Sequence, residues 1–150
     1  MIRCLVFAAL TATLPTSLLA QDGTAAAPET EATRTFSLEL NNAATVEGGI
    51  CQLTYVATNN SGEDLSQAAY QVGFFDSAGI VRRILVLDFG ALTPGKTRIV
   101  LFNLPDQPCE DLSRIVVNDV AQCALADGEV SDLCSVGLET TSRTDIAFGL

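Results

Sequence analysis

Two apolar runs separated by a short polar turn lie at residues 68–89, and this stretch predicts the central hairpin of the chain. In the first run the apolar residues follow a period of two, which is the repeat of a β-strand, at Tyr70, Val72 and Phe74. The turn at residues 76–79 begins with an Asp, which accepts hydrogen bonds from nearby amides, and ends with a Gly, which tolerates positive φ. The return run at residues 80–89 is apolar on both parities, so we expect much of this strand to be covered on both faces, with Arg82 and Arg83 reaching water near the turn.

Similar short runs of apolar and β-branched residues continue along the chain. Turn-forming residues separate them, including Asn-Asn-Ser-Gly at 59–62 and a Pro-Gly type II turn at 94–95. Together with the hairpin they predict about seven strands, at residues 36–40, 50–58, 70–75, 80–89, 97–104, 112–123 and within 134–148. No segment has a convincing helical pattern. The spacing therefore predicts an all-β fold, an immunoglobulin- or fibronectin-like β-sandwich with Greek-key connections at residues 36–150.

The N-terminus has the pattern of a secretory signal peptide at residues 1–20. Arg3 supplies a positive charge, residues 5–14 are apolar, and Ala20 is the small residue before the cleavage point. An uncleaved membrane anchor is the alternative, although the apolar run is short for a bilayer span. Residues 21–35 are rich in Ala, Thr, Glu and Pro, which predicts a flexible leader before the sandwich.

Charge and cysteine content narrow the class of protein. The formal net charge is −10, and cleavage after residue 20 removes one charged residue, Arg3, which brings it to −11. Such a surface repels nucleic acid and anionic lipid, so we expect no nucleic-acid partner and no membrane insertion after cleavage. An exported chain with four remaining cysteines predicts two disulfides in a periplasmic or secreted protein. Metal binding and free thiols are the alternatives.

The predicted topology indicates which cysteines pair. In a seven-strand sandwich of this type, the second and sixth strands lie in facing sheets. Cys51 begins the second strand and Cys109 comes just before the sixth, so both lie at one end of the sandwich. Cys123 and Cys134 flank the loop between the last two strands. We therefore expect the disulfides Cys51–Cys109 and Cys123–Cys134.

Four features occur in order within residues 52–104, about half of the predicted sandwich: Asn59-Asn60-Ser61-Gly62, Phe75-Asp76, Gly79 and Pro94-Gly95. In these features the segment resembles bacterial envelope domains of the FxLYD-type immunoglobulin-like group. The resemblance implies an immunoglobulin-like fold and an accessory or interaction role in the envelope. It implies no catalytic residue, and the four cysteines lie outside the pattern.

The chain contains no His, which excludes the common His-dependent sites. Ser-His-Asp and Cys-His catalysis, His-ligated zinc and the His₂Cys copper site all need an imidazole. Neither cysteine pair forms a Cys-x-x-Cys motif, so structural disulfides are favoured over redox-active ones. We expect no cofactor.

Acidic side chains are the remaining candidates for a site. The loop at residues 127–132 has three carboxylates beside a Gly, Asp127, Glu129 and Asp132, and is a candidate Ca²⁺ site or simply a solvated loop. Glu110 with Asp111, and Asp119 further along, are candidates for a general acid/base pair, with surface acids as the default. Asn59 to Ser61 matches the N-glycosylation pattern, which is relevant only in a eukaryotic host.

Two functional hypotheses follow from these residues. The first is a non-catalytic exported β-sandwich that acts as a protein-interaction or envelope-accessory module and binds an envelope or extracellular protein of unknown identity through strand edges or loops. The alternative is a Ca²⁺- or carbohydrate-binding module that uses the acidic loop at residues 127–132. An enzyme with carboxylates alone is the least favoured of the three classes.

Overall fold

The computed structural model describes residues 34–150, which fold into two stacked four-stranded β-sheets. The strands are β1 Phe36–Val46, β2 Ile50–Asn59, β3 Leu65–Asp76, β4 Val81–Leu92, β5 Thr97–Leu104, β6 Leu112–Leu125, β7 Leu138–Ser142 and β8 Ala147–Gly149. A 3₁₀ turn at Cys109–Asp111 precedes β6, and a short helix, α1, spans Leu133–Val136. The predicted β-sandwich with two disulfides is confirmed. The predicted signal peptide and most of the predicted leader lie outside the described residues.

The first sheet has the strand order β5-β2-β1-β7 and the second has the order β4-β3-β6-β8. Neighbouring strands pair antiparallel except at the two C-terminal additions, where β7 runs parallel to β1 and β8 runs parallel to β6. Strands β4 and β5 therefore form the two sheet edges on one side of the sandwich. No helix among the described residues is long and apolar enough to cross a bilayer.

The core lies between the sheets and is built from the inward parity of each strand. On the central strands β2 and β3 the alternation predicted from the sequence is observed, and Tyr70, Val72 and Phe74 are buried. Aromatic rings meet at the centre, where Tyr55 makes edge contacts with Phe89, Phe102 and Phe148 at centroid distances of 5.3–5.9 Å. Rings of this size supply much of the burial that stabilises a small sandwich.

The prediction that much of the return strand of the hairpin is covered on both faces is wrong. Strand β4 lies at the edge of its sheet, and only one parity faces the core, with Leu87 and Phe89 buried. On the other parity Ile84 and Val86 are 56% and 58% exposed. A strand that is apolar on both parities is thus left with an apolar face in water.

The C-terminal region also differs from the prediction of one final strand and no helix. Residues 134–148 contain most of helix α1, then β7 in the first sheet and β8 in the second. The chain crosses from one sheet to the other at residues 143–146, so residues 34–150 contain eight strands rather than seven. The first strand is also longer than predicted, because the polar residues up to Val46 pair with β2 beyond a register shift between Leu40 and Asn42.

Candidate functional site

The outer face of the sheet that contains β4 carries exposed apolar side chains. We call it the β4 face and define it by Phe75, Ile84, Val86, Arg114 and Val116. Cross-strand pairing places these side chains side by side, since Ile84 and Val116 both lie opposite Gly73 on the intervening strand. Contiguous apolar side chains on a surface are typical of sites that contact another molecule.

The centre of the β4 face is shaped by a glycine and an aromatic ring. Gly73 has no side chain, and a Cβ built there would lie 3.5 Å from the ring of Phe75, so the ring leans over this strand. The guanidinium of Arg114 lies 4.2 Å from the centroid of the same ring, in a cation–π contact. The result is an apolar surface with one positive charge beside it, on a protein whose net charge is negative.

The free edge of β4 adds hydrogen-bonding groups to this apolar surface. Strand β4 pairs with β3 on one side, and within residues 34–150 no strand pairs with it on the other. From residue 83 to residue 88 it keeps one continuous register with β3, so this part of the edge is regular. An unpaired, regular edge is a template for a further strand.

Arg82, one of the two arginines predicted to reach water, lies at the turn end of this edge. Its Nη1 is 3.8 Å from Oδ2 of Asp76, a contact between partly exposed groups that contributes little stability. Asp88 lies at the opposite end of the regular segment. Its carboxylate accepts hydrogen bonds from the amide of Gly90 at 2.7 Å and from Nε2 of Gln67 at 3.0 Å.

The acidic loop does not gather its carboxylates. Asp127 Oδ1 accepts a hydrogen bond from the amide of Glu129 at 3.0 Å, and Asp132 Oδ1 lies 3.3 Å from Arg34 Nη2. Arg34 also pairs with Glu63, so a cation neutralises this end of the loop. In the part of the chain that the structure describes, no three His, Cys, Asp or Glu side chains are grouped as metal ligands.

The candidate acid/base carboxylates are also kept apart. Thr45 Oγ1 donates a hydrogen bond of 2.7 Å to Glu110, which lowers the pKa of that carboxyl. Asp119 lies along β6, which begins at Leu112, and at about 3.3 Å per residue these seven steps extend about 23 Å. The structure therefore does not bring Glu110 and Asp119 together as a pair.

Asn59, the first residue of the N-glycosylation pattern, is fully buried. Its Nδ2 donates hydrogen bonds to the carbonyls of Glu63 at 2.7 Å and Leu92 at 2.8 Å. Its Oδ1 accepts from the amide of Ser61 at 3.0 Å and from the Ser61 hydroxyl at 2.6 Å. With all four positions occupied and no exposure, Asn59 is a structural residue, and the folded protein cannot carry a glycan on it.

Both disulfides have the predicted pairing. Cys51–Cys109 links the start of β2 to the 3₁₀ turn before β6, with a Cα–Cα distance of 4.7 Å. Cys123–Cys134 links the end of β6 to helix α1, with a Cα–Cα distance of 6.0 Å. Two disulfides in a chain of this size are typical of proteins that fold outside the cytoplasm, in an oxidising compartment.

Comparison with known proteins supports the fold and not a particular activity. No family model matches the chain, and no curated protein matches it. The solved structure of IrmA from Escherichia coli has a similar fold, with a TM-score of 0.54 at 12% sequence identity. The similarity covers 71% of this chain and 91% of IrmA. At this identity the likeness shows a shared β-sandwich architecture and transfers no residue role.

The residues of the β4 face were not predicted as a site. The sequence carries a signal, since residues 80–89 are apolar on both parities, but that pattern by itself predicts burial on both faces. Only the strand order, with β4 at the edge, turns one of these parities into an exposed surface.

Proposed function

We propose that this chain is a non-catalytic exported β-sandwich that acts as a protein-interaction or envelope-accessory module, in the periplasm or outside the cell. The observation that carries this proposal is the β4 face beside the free edge of β4. It combines exposed aliphatic side chains with unpaired backbone groups, the two features that a partner needs to add a strand to a sheet.

Other features of the molecule support an interaction role. The disulfides are compatible with export, and a net charge of −10 keeps a protein soluble despite an exposed apolar face. The resemblance of residues 52–104 to FxLYD-type envelope domains implies the same kind of accessory role, and we include it in the proposal. The acidic loop gives no comparable support to the Ca²⁺- or carbohydrate-binding alternative, since its carboxylates are dispersed.

A matched pair of surface variants tests the proposal. Val86→Lys places a charge on the β4 face. Val136→Lys places the same charge on helix α1, which packs against β6 and β7 and in which Val136 is 83% exposed. Immobilised wild-type protein and both variants are incubated with an envelope extract of the host, and retained proteins are identified by mass spectrometry. We expect a partner that wild type and Val136→Lys retain and Val86→Lys loses. An identical set of retained proteins on all three would refute the proposal.

A further inference from the structure

We infer that the partner of the free β4 edge is a second copy of this chain, paired antiparallel with Leu85 opposite Leu85 on a two-fold axis. This inference rests on the proposed function, because it names the occupant of the same edge. It joins the sheets that contain β4 into one continuous sheet of eight strands across the dimer. The argument depends on which residues such a pairing places opposite each other.

Symmetry restricts the possible registers. A two-fold axis perpendicular to the sheet maps the outer face of one copy onto the outer face of the other. Directly opposed residues must then have the same parity, so the two residue numbers of each pair sum to an even value. Within the regular segment at residues 83–88, only a few such registers are available.

On the outer face, one of these registers is complementary in both hydrophobicity and charge. With Leu85 on the axis, Ile84 of each copy lies opposite Val86 of the other, so the two most exposed aliphatic residues of the segment cover each other. In the same register Asp88 of each copy faces the bulge at Arg82 of the other, where the regular register with β3 ends. Because the axis repeats each contact, the interface contains two apolar pairs with opposite charges beside both of its ends.

The neighbouring registers lack this match. With Ile84 on the axis, the bulge at Arg82 faces Val86, so the guanidinium is placed beside an aliphatic side chain. With Val86 on the axis, Ile84 lies opposite Asp88, and the carboxylate is placed against an aliphatic side chain. Directly opposed cross-strand pairs stabilise a sheet only when their chemistry agrees, so the register centred on Leu85 is favoured.

The edge of the other sheet supports the same axis. Strand β5 follows β4 directly in sequence, and Arg98 of β5 approaches Gly90 and the carbonyl of Ala91, so the two edges lie side by side. An axis beside β4 therefore also brings together the β5 edges of the two copies. On that strand Ile99 and Leu101 are 65% and 55% exposed. Both sheets of the sandwich thus present apolar side chains at the side where the copies meet.

The oligomeric state of the purified, oxidised protein is the first test. Sedimentation velocity over a range of concentrations is expected to show a monomer–dimer equilibrium. Val86→Lys is expected to weaken the dimer. Its dissociation constant should rise by about tenfold for each of the two symmetric Ile84–Val86 pairs, because each pair loses an aliphatic contact that the interface buries. Val136→Lys, which adds the same charge at a distance, is expected to leave the dissociation constant unchanged.

A charge exchange tests the register itself. Arg82→Glu places like charges opposite each other and is expected to weaken the dimer, whereas Arg82→Glu combined with Asp88→Lys is expected to restore it. Asp88 also accepts hydrogen bonds within its own copy, so circular dichroism checks that the double variant is folded. A second variant, Leu85→Cys, tests the position of the axis directly, and because Leu85 packs partly against the core, circular dichroism checks its fold as well. Opposed Cα atoms about 4.5–5.5 Å apart suit a disulfide, so mild oxidation should yield a covalent dimer on a non-reducing gel.

The outcomes separate this inference from the proposed function. A protein that stays monomeric at the highest attainable concentration overturns the inference, as does a dimer unaffected by Val86→Lys and by the Arg82 and Asp88 exchange. If the protein is monomeric and still retains an envelope partner in a manner lost with Val86→Lys, the proposed function holds and a different protein occupies the edge. If neither self-association nor Val86-dependent retention is seen, both proposals are wrong.

Discussion

Replacement of Asn59 by Ala should be among the most destabilising polar substitutions in this protein. The Asn59 side chain is fully buried and joins three backbone segments, through the carbonyls of Glu63 and Leu92 and both the amide and hydroxyl of Ser61. It thereby ties the end of β2 to the loop before β3 and to the end of β4. Ala retains none of these bonds.

The size of the effect follows from the number of bonds lost. Four hydrogen bonds at a net contribution of about 1 kcal/mol each give a loss of about 4 kcal/mol in the free energy of unfolding. The carbonyl of Leu92 loses a buried donor, which acts in the same direction. Domains of this size have total stabilities of roughly 5–15 kcal/mol, so the variant should be close to unfolding at physiological temperature.

Urea denaturation followed by circular dichroism, with the disulfides intact, measures this loss. With an m-value of about 2 kcal/mol per M, the midpoint should fall by about 2 M. The matched control is Asn60→Ala, since Asn60 is the adjacent exposed Asn and should change stability by less than about 0.5 kcal/mol. If the Asn59 and Asn60 variants unfold at the same urea concentration, the hydrogen-bond argument is wrong.

Two further predictions concern a close contact and a pair of buried phenols. A Cβ at Gly137 would lie 2.5 Å from the backbone carbonyl of Arg34, so Gly137→Ala should lower the free energy of unfolding, measured by heat or urea, by about 1–3 kcal/mol. The control is Gly62→Ala, which should be tolerated because a Cβ at Gly62 has no atom within 4 Å. Burial raises the pKa of Tyr55 and of Tyr70, so the folded chain keeps both phenolic protons at pH values where the unfolded chain releases them. The free energy of unfolding should then decrease as the pH rises above about 10, by up to about 1.4 kcal/mol per pH unit for each phenol, and tyrosinate absorbance appearing near pH 10 without unfolding would contradict this.

Local sequence patterns determined much of the fold. Alternation at Tyr70, Val72 and Phe74 predicted the inward face of the central strand, because the side chains of a strand point to opposite faces whatever lies beyond them. Turn residues such as Gly79, which adopts positive φ, separated the strands correctly. The pairing of the four cysteines followed from where they lie, along the chain, relative to the predicted strands.

Strand order and long-range contacts decided the rest. Residues 80–89 are compatible with a covered strand or an edge strand, and only the pairing of β3 with both β4 and β6 leaves β4 at the edge with Ile84 and Val86 exposed. The sequence predicts Asn59 only as a turn residue. In the fold its side chain is buried and hydrogen-bonded, because β4 ends beside it. Periodicity reports which side of a strand faces inward, whereas the identity of the edge strand depends on contacts between distant segments, and it is this edge that makes the candidate interaction site.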